Sequence, residues 1–276
     1  MMYFRAVRYA SAVALLITVL SAPLSTAQAE PTNDFRFSLS GAYLYGPIRG
    51  NIQVPLGGEP GTTSSHRPTL SELGIDHASI WDVNGESDWR RERFYLGAQF
   101  IQPSGSDTLD EMLISHGVTF PAGSHVSSDV GLNWYRVGYG HEFDIGEGRT
   151  LRITPKIGAA ILDFDYKLDS GALSAKRSYI KAGPQFGAEV EWQPGKLPFS
   201  LDLDLMLSDN FGTSLAAISS ESLLVKYRFF EHGSLSTSAM IGVAFEQIRY
   251  EDDQTVSNRV HVDLGPLFVV GLQVKF

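Results

Sequence analysis

Hydrophobic and polar residues alternate along most of this chain, most plainly at its end. From Val260 to Phe276 the even positions are Val260, Val262, Leu264, Pro266, Phe268, Val270, Leu272, Val274 and Phe276. The odd positions, His261, Asp263, Gly265, Gly271, Gln273 and Lys275 among them, are small or polar apart from Leu267 and Val269. Successive side chains of a strand point to opposite faces. The pattern therefore predicts one long strand with an unbroken apolar side and an aromatic end. A side of that kind suits contact with lipid.

Nine earlier segments alternate in the same way: Phe35 toward Val54, Asp88–Gln102, Leu109–Phe120, Val126–Ile145, Leu151–Ile161, Ile180–Trp192, Phe199–Ser208, Leu223–Phe229 and Leu235–Glu246. Ten strands predict an all-β, antiparallel up-and-down transmembrane barrel. Eight is the alternative, because Leu109–Phe120 alternates weakly. Residues 55–87, rich in Gly, Pro, Ser and His, read as a long outer loop. Within it Thr69-Leu70-Ser71-Glu72 has the form of a capping box, and Leu73 and Ile75 could pack a short helix over the barrel mouth. With both termini on the periplasmic side, the connections at 103–107, 146–149, 194–198 and 231–234 fall on that side. Those at 55–87, 121–125, 169–177, 209–220 and 251–258 fall outside. Pro155 and Pro184 lie inside predicted strands and remove ladder donors, so each predicts a bulge or a gap in pairing.

The N-terminus adds a targeting signal. Arg5 and Arg8, an apolar run from Ala10 to Leu20 and Ala27-Gln28-Ala29 predict a cleaved signal peptide over residues 1–29, with the barrel domain over 30–276. The apolar run is too short to span a bilayer. Without Arg5 and Arg8 the basic residues fall from 22 to 20 against 31 acidic ones, a formal charge of −11. This balance argues against a nucleic-acid partner. There is no cysteine, which removes disulfides, thiolate metal sites and a thiol nucleophile.

The polar faces carry many charges. On a lipid face each would cost about 2–4 kcal/mol at the midplane, so they are expected inside. The candidate lumen network is Arg136, Glu142, Arg152, Lys156, Glu189, Asp202, Asp204, Lys226 and Arg228. Hairpin register predicts Glu142 opposite Arg152, Asp202 opposite Arg228, Asp204 opposite Lys226 and Lys156 opposite Glu189. A barrel of this size is only slightly wider than one that side chains fill, so salt bridges are expected to plug it. Closure of the last strand on the first predicts Lys275 beside Arg36.

Phe120-Pro121-Ala122-Gly123, the run Val126-Ser127-Ser128-Asp129-Val130-Gly131-Leu132-Asn133-Trp134-Tyr135-Arg136-Val137-Gly138-Tyr139-Gly140 and the run Ser71 to Asp76 resemble a group of small outer-membrane barrel proteins of Gram-negative bacteria. The resemblance implies fold and location rather than chemistry, since most members have no known activity. It implies outer-membrane lipid and lipopolysaccharide as surroundings. The terminal Phe276 is similar to the signal read by the barrel-assembly machinery. His125-Val126-Ser127 resembles the His-x-Ser of outer-membrane lipid A deacylases. A base beside a hydroxyl is the start of a catalytic triad, but no Glu is evident at that level, and a solvated turn is the simpler reading. His66, Asp76 and His77 match no standard metal spacing. The acidic residues Asp163, Asp165, Asp169, Asp209, Glu251, Asp252 and Asp253 could hold divalent cations near lipopolysaccharide phosphates, or could simply keep exposed loops soluble. No cofactor is expected. The leading expectation is a structural or surface-interaction barrel. A lipid A-modifying hydrolase and a narrow channel for a small solute are the alternatives.

Overall fold

The computed structural model describes residues 35–146, 150–195, 197–209 and 214–276. The predicted signal peptide lies outside these residues, as do parts of the connections predicted at 146–149, 194–198 and 209–220. The first outer strand, β1 (Phe35–Gln53), pairs with β2 (His77–Trp89), and β2 with β3 (Glu92–Ile101). After Pro103 the chain continues as β4 (Ser104–Thr108) and forms a small separate hairpin, β5 (Leu113–Ser115) and β6 (Val118–Phe120). It then returns as β7 (His125–His141), which lies along both β3 and β4, and extends briefly as β8 (Phe143–Ile145). The rest is a meander: β9 (Leu151–Ser170), β10 (Leu173–Trp192), β11 (Phe199–Leu207), β12 (Ala217–His232), β13 (Leu235–Glu251) and β14 (Arg259–Lys275). β14 pairs back onto β1. With β4 and β8 counted as extensions of β3 and β7, ten staves close an antiparallel barrel.

The number of staves agrees with the sequence pattern, but two of the segments differ. His77–Trp89 is a stave, although all but its last two residues fall within the predicted loop 55–87; the outer connection is only 54–76. Its inward side chains include Asp82, Asn84, Glu86 and Asp88, and its outward ones include Gly85 and Ser87, so neither face alternates cleanly. Leu109–Phe120 is not a stave. Its apolar residues Leu109, Leu113 and Phe120 are buried over the barrel mouth. The connection at 103–107 consequently sits at the outer end, and the inner turn is 90–91. The predicted outer loop at 169–177 shrinks to a turn at Gly171 and Ala172 between long staves.

The outer wall divides into two zones. Outward side chains on β1 are apolar from Phe37 to Tyr45, and on β10 from Ile180 to Trp192. At about 3.3 Å per residue and a tilt of about 40° these runs cover roughly 20 and 30 Å, which brackets the usual apolar band of about 25 Å. Above them the outward positions turn polar: Arg49 and Asn51 on β1, Ser127 and Asp129 on β7, Asp163, Asp165, Lys167 and Asp169 on β9, and Lys176 on β10. These acidic β9 residues, predicted for a loop, stand on the strand wall.

The final strand serves both zones through one bulge. Its register against β1 and β13 shifts by a residue around Gly265–Pro266. Below the bulge Phe268, Val270 and Leu272 face outward and are about half exposed; above it Val260, Val262 and Leu264 are buried inside. The apolar side is therefore not one face: it meets lipid below and a protein core above. Gly265 adopts a φ of +117°, a region open to glycine. Pro155 and Pro184 cause no register shift between β9 and β10. Each instead leaves a gap on its other side: the β7–β9 ladder breaks at Pro155, and the β10–β11 ladder begins only at Phe186. At the closing seam Lys275 lies opposite Ser38, not Arg36, whose position in the strand register on the other side is across from Asp88.

The upper interior is a packed apolar core. Ile48, Ile80, Leu132, Phe164, Ile248 and Val262 point into it, and Leu70, Leu73 and Ile75 descend from the outer connection to fill its mouth. The predicted capping box holds that segment. The Glu72 N–H donates to Thr69 Oγ1 at 3.2 Å, and the Thr69 N–H donates to the Glu72 carboxylate at 2.7 Å. The helix it starts is a single 3₁₀ turn, Ser71–Leu73. The β5–β6 hairpin joins this lid: the Ser64 N–H bonds Ile114 O at 2.9 Å, and the His116 N–H bonds Val54 O at 2.9 Å.

Candidate functional site

The lower interior is charged, and β3 supplies its centre. Odd residues of β3 point inward, which places Arg93 in the lumen with its side chain only 3% exposed. Its guanidinium reaches three acids: Asp88 on β2 at 2.8 Å, Glu189 on β10 at 3.0 Å, and Glu142 at the end of β7. A planar fork with five donors suits this arrangement better than an ammonium would. β10 is three staves from β3 around the wall, so the Arg93–Glu189 bond crosses the lumen as a chord.

A chain of ion pairs continues from Glu189. Lys156 bonds Glu189 at 2.5 Å and Asp204 at 3.2 Å, and Arg136 lies 3.9 Å from Asp204. Arg136 also donates to Asn84 Oδ1 at 2.6 Å. Below, Arg152 contacts Glu142 at 3.6 Å, Asp144 at 3.6 Å and Glu191 at 3.4 Å. Lys226 bonds Asp202 at 2.5 Å. Beside the chain, Asn84, Glu86, Tyr95, Leu96, Arg136, Lys156, Asp204 and Met206 enclose a void of about 20 Å³, room for roughly one water. The layer ends upward where Trp134 Nε1–H donates to Gln99 Oε1 at 2.9 Å, with the Arg136 guanidinium 5.7 Å from the Trp134 ring.

Of the nine residues assigned to the lumen network, eight take part in these contacts. Arg228 does not: it pairs with Glu231 at 3.3 Å near the inner end. The predicted pairs Glu142–Arg152 and Lys156–Glu189 form, though as diagonal neighbours, since the true partners across the ladders are Asp144–Arg152 and Gly187–Lys156. Asp202 takes Lys226, the partner predicted for Asp204, and Asp204 takes Lys156 and Arg136 instead; across the ladder Asp202 lies opposite Leu224 and Asp204 opposite Ser222. The Arg93 hub and its acid Asp88 are additions. Asp82, Glu86 and Asp88 sit two or four residues apart between Trp81 and Trp89; that spacing was the available signal for a charged stave face.

The other candidates do not assemble. His125 and Ser127 are both exposed on the polar outer wall, opposite Thr108 and Ser106. Among the described residues no side-chain hydrogen bond joins them. Asp169, across the ladder from Ser127, bonds Lys167 instead. His66 lies 3.2 Å from Glu72 and 3.6 Å from Glu111, His77 stacks on Tyr45, and Asp76 accepts from Ser71 Oγ at 2.6 Å. Among the described residues no cluster of three or more metal-ligating side chains is formed. Glu251 pairs with Arg259 at 2.7 Å, and Asp252 caps Asn258. In the outer connection, burial raises the Glu72 pKa, but hydrogen bonds from the Thr69 backbone, the Thr69 hydroxyl and His66 outweigh it and hold Glu72 below its ordinary value.

No protein-family model matches the chain, and neither does any curated protein sequence. Solved structures resemble it only loosely. Ail, the attachment invasion locus protein of Yersinia pestis, is 14% identical with a TM-score of 0.35 and covers 88% of this chain and 99% of its own. Neisserial surface protein A is 11% identical with a TM-score of 0.35, covering 88% and 97%. The transport unit of the autotransporter AIDA-I from Escherichia coli is 9% identical with a TM-score of 0.36, covering 96% and 97%. At these values the likeness carries no weight, and the fold rests on the closed ladder of strand pairs. With its belt of outward apolar side chains, the chain is a ten-stranded barrel of the outer-membrane type.

Proposed function

We propose that this protein is a non-conducting barrel of the bacterial outer membrane with a structural or surface-interaction role, exercised by its outer end. The observation that supports this is a double closure. Ion pairs bridge the lower lumen, and an apolar core capped by Leu70, Leu73 and Ile75 fills the upper lumen. A solute would have to break buried charge pairs, at about 3–5 kcal/mol for each acid left alone, and then cross a dry core. Such a barrel has no use for a pore, which leaves the outer surface formed by residues 54–76 and the β5–β6 hairpin as the part that meets partners. Export through the predicted signal peptide and insertion through the terminal Phe276 belong to the same proposal. Single-channel recording on the purified barrel in planar bilayers tests it. Silence is expected, and reproducible unitary steps would overturn the closed lumen.

A further inference from the structure

We infer that the groove between β1 and the outer connection binds the phosphorylated sugar headgroup of an outer-leaflet lipid. The inference rests on the membrane placement of the barrel and uses none of the ion-pair residues of the lumen.

The first observation is position. The apolar run of β1 ends at Tyr45, whose ring stacks under His77 with centroids 5.6 Å apart and planes 5° apart. Next to it Tyr43 and Trp81 pack at 5.2 Å. Aromatic residues of this kind mark the level where hydrocarbon meets headgroups. Arg49 lies four residues further along β1, about 10 Å higher at a strand tilt of about 40°. A long side chain there can lie back toward the interface.

The second observation is the groove itself. It measures about 490 Å³, and Pro47, Arg49, Thr69, Ser71, Asp76 and His77 line it. Its walls come from a strand and from the segment pinned by the capping box, so it is built by the fold and not by a loose loop.

The third observation is charge. Arg49 is exposed and forms no ion pair among the described residues. Asp263, opposite it on β14, is already held by Arg249 at 2.5 Å. A guanidinium at the headgroup level suits a phosphate, which it can bind through two parallel hydrogen bonds. Asp76 on the same groove repels a bare phosphate. Together with the Thr69 and Ser71 hydroxyls it suits sugar hydroxyls, so the matching ligand carries both groups on one headgroup.

Native mass spectrometry of the full-length barrel in a mild non-ionic detergent tests this, with bis-phosphorylated lipid A as the probe. One retained lipid A per barrel is expected. The paired substitution Arg49→Gln and His77→Gln should weaken retention about tenfold or more, the size of a lost charged hydrogen bond. Dephosphorylated lipid A should bind wild type more weakly by a similar factor. Lys176→Gln, on the polar wall of β10, should leave retention unchanged, and a heat-shifted gel band confirms that every variant is folded. Equal retention by the paired variant, or by dephosphorylated lipid A, would overturn the site. Displacement of lipid A by millimolar inorganic phosphate would reassign it to free anions. Equal retention of phosphatidylglycerol would remove the sugar from the proposal.

Discussion

Replacing Arg93 by Met tests whether the lumen is held by its charges. The side chain is 3% exposed and touches Asp88, Glu142 and Glu189. Methionine fills much of its volume but carries no charge, so three carboxylates lose a partner together. The cost is not three times that of one pair. Glu189 keeps Lys156 at 2.5 Å, and Glu142 keeps Arg152 at 3.6 Å. Asp88 keeps no ion pair among the described residues. Breaking a buried pair from one side costs about 3–5 kcal/mol, and the surviving cations place this case at the lower end. A loss of about 3 kcal/mol is expected, roughly a hundredfold in the folding equilibrium. Urea unfolding of the barrel in detergent micelles or lipid vesicles, followed by tryptophan fluorescence, measures it as a lower midpoint at constant slope. Asp88→Asn on the Arg93→Met background should recover part of the loss, because it removes the carboxylate left without a partner. Arg93→Lys should fall between wild type and Arg93→Met, since an ammonium cannot serve three acids in a plane. A change below about 1 kcal/mol in Arg93→Met would refute the reasoning. So would a double variant that adds the full cost of each single change.

Three further outcomes follow from the geometry. Deleting Pro266 removes the one extra residue of β14 and lets it pair with β1 and β13 in an unbroken register, with Val260, Val262 and Leu264 still inside; a normal heat-shifted folded band is expected, and loss of that band would contradict the reading of Gly265–Pro266 as a one-residue bulge. Leu73→Ala empties part of the lid core and should cost about 3 kcal/mol, with faster proteolysis within 54–76 while the barrel stays intact; unchanged cleavage would argue against a packed lid. Glu72 is ionised more readily in the folded lid than in the free chain, so its contribution is present above the ordinary carboxylate range and is lost as pH falls through its lowered folded value. Hydrogen-exchange protection across 66–76, taken relative to the intrinsic rate at each pH, should therefore fall on acidification, and Glu72→Gln should flatten that dependence; an equal response in both would exclude Glu72 as its source.

Much of the fold is legible because a barrel stave carries its own address. Alternation specifies a strand with two unlike faces, and β7, β10 and β13 show it cleanly. The capping box is legible for the same local reason, as its residues satisfy each other within four positions. β2 is hidden because its inward face holds acids and its outward face holds Gly85 and Ser87, so composition imitates a loop. The hairpin at 113–120 imitates a stave because its apolar residues are spaced to plug the mouth. The candidate site is legible as a set of inward charges, but not as a set of pairs. One partner in a diagonal contact differs by two residues from the one directly across, and hairpin arithmetic with an uncertain turn length cannot choose between them.

The final strand shows where sequence stops and tertiary structure begins. By itself the sequence determined that Val260 to Phe276 is a strand with an apolar side, that charges line the other faces, and that the chain closes as a barrel. It could not determine what each apolar residue meets. That depends on one extra residue at Gly265–Pro266, which sends Phe268 and Val270 toward lipid and Val260 and Val262 into a core. Only the assembled barrel decides this, because the swap is meaningful only relative to β1 and β13 on either side. The same holds for Arg93. Its charge is written in the sequence, but its three acids come from staves that meet only across the closed lumen.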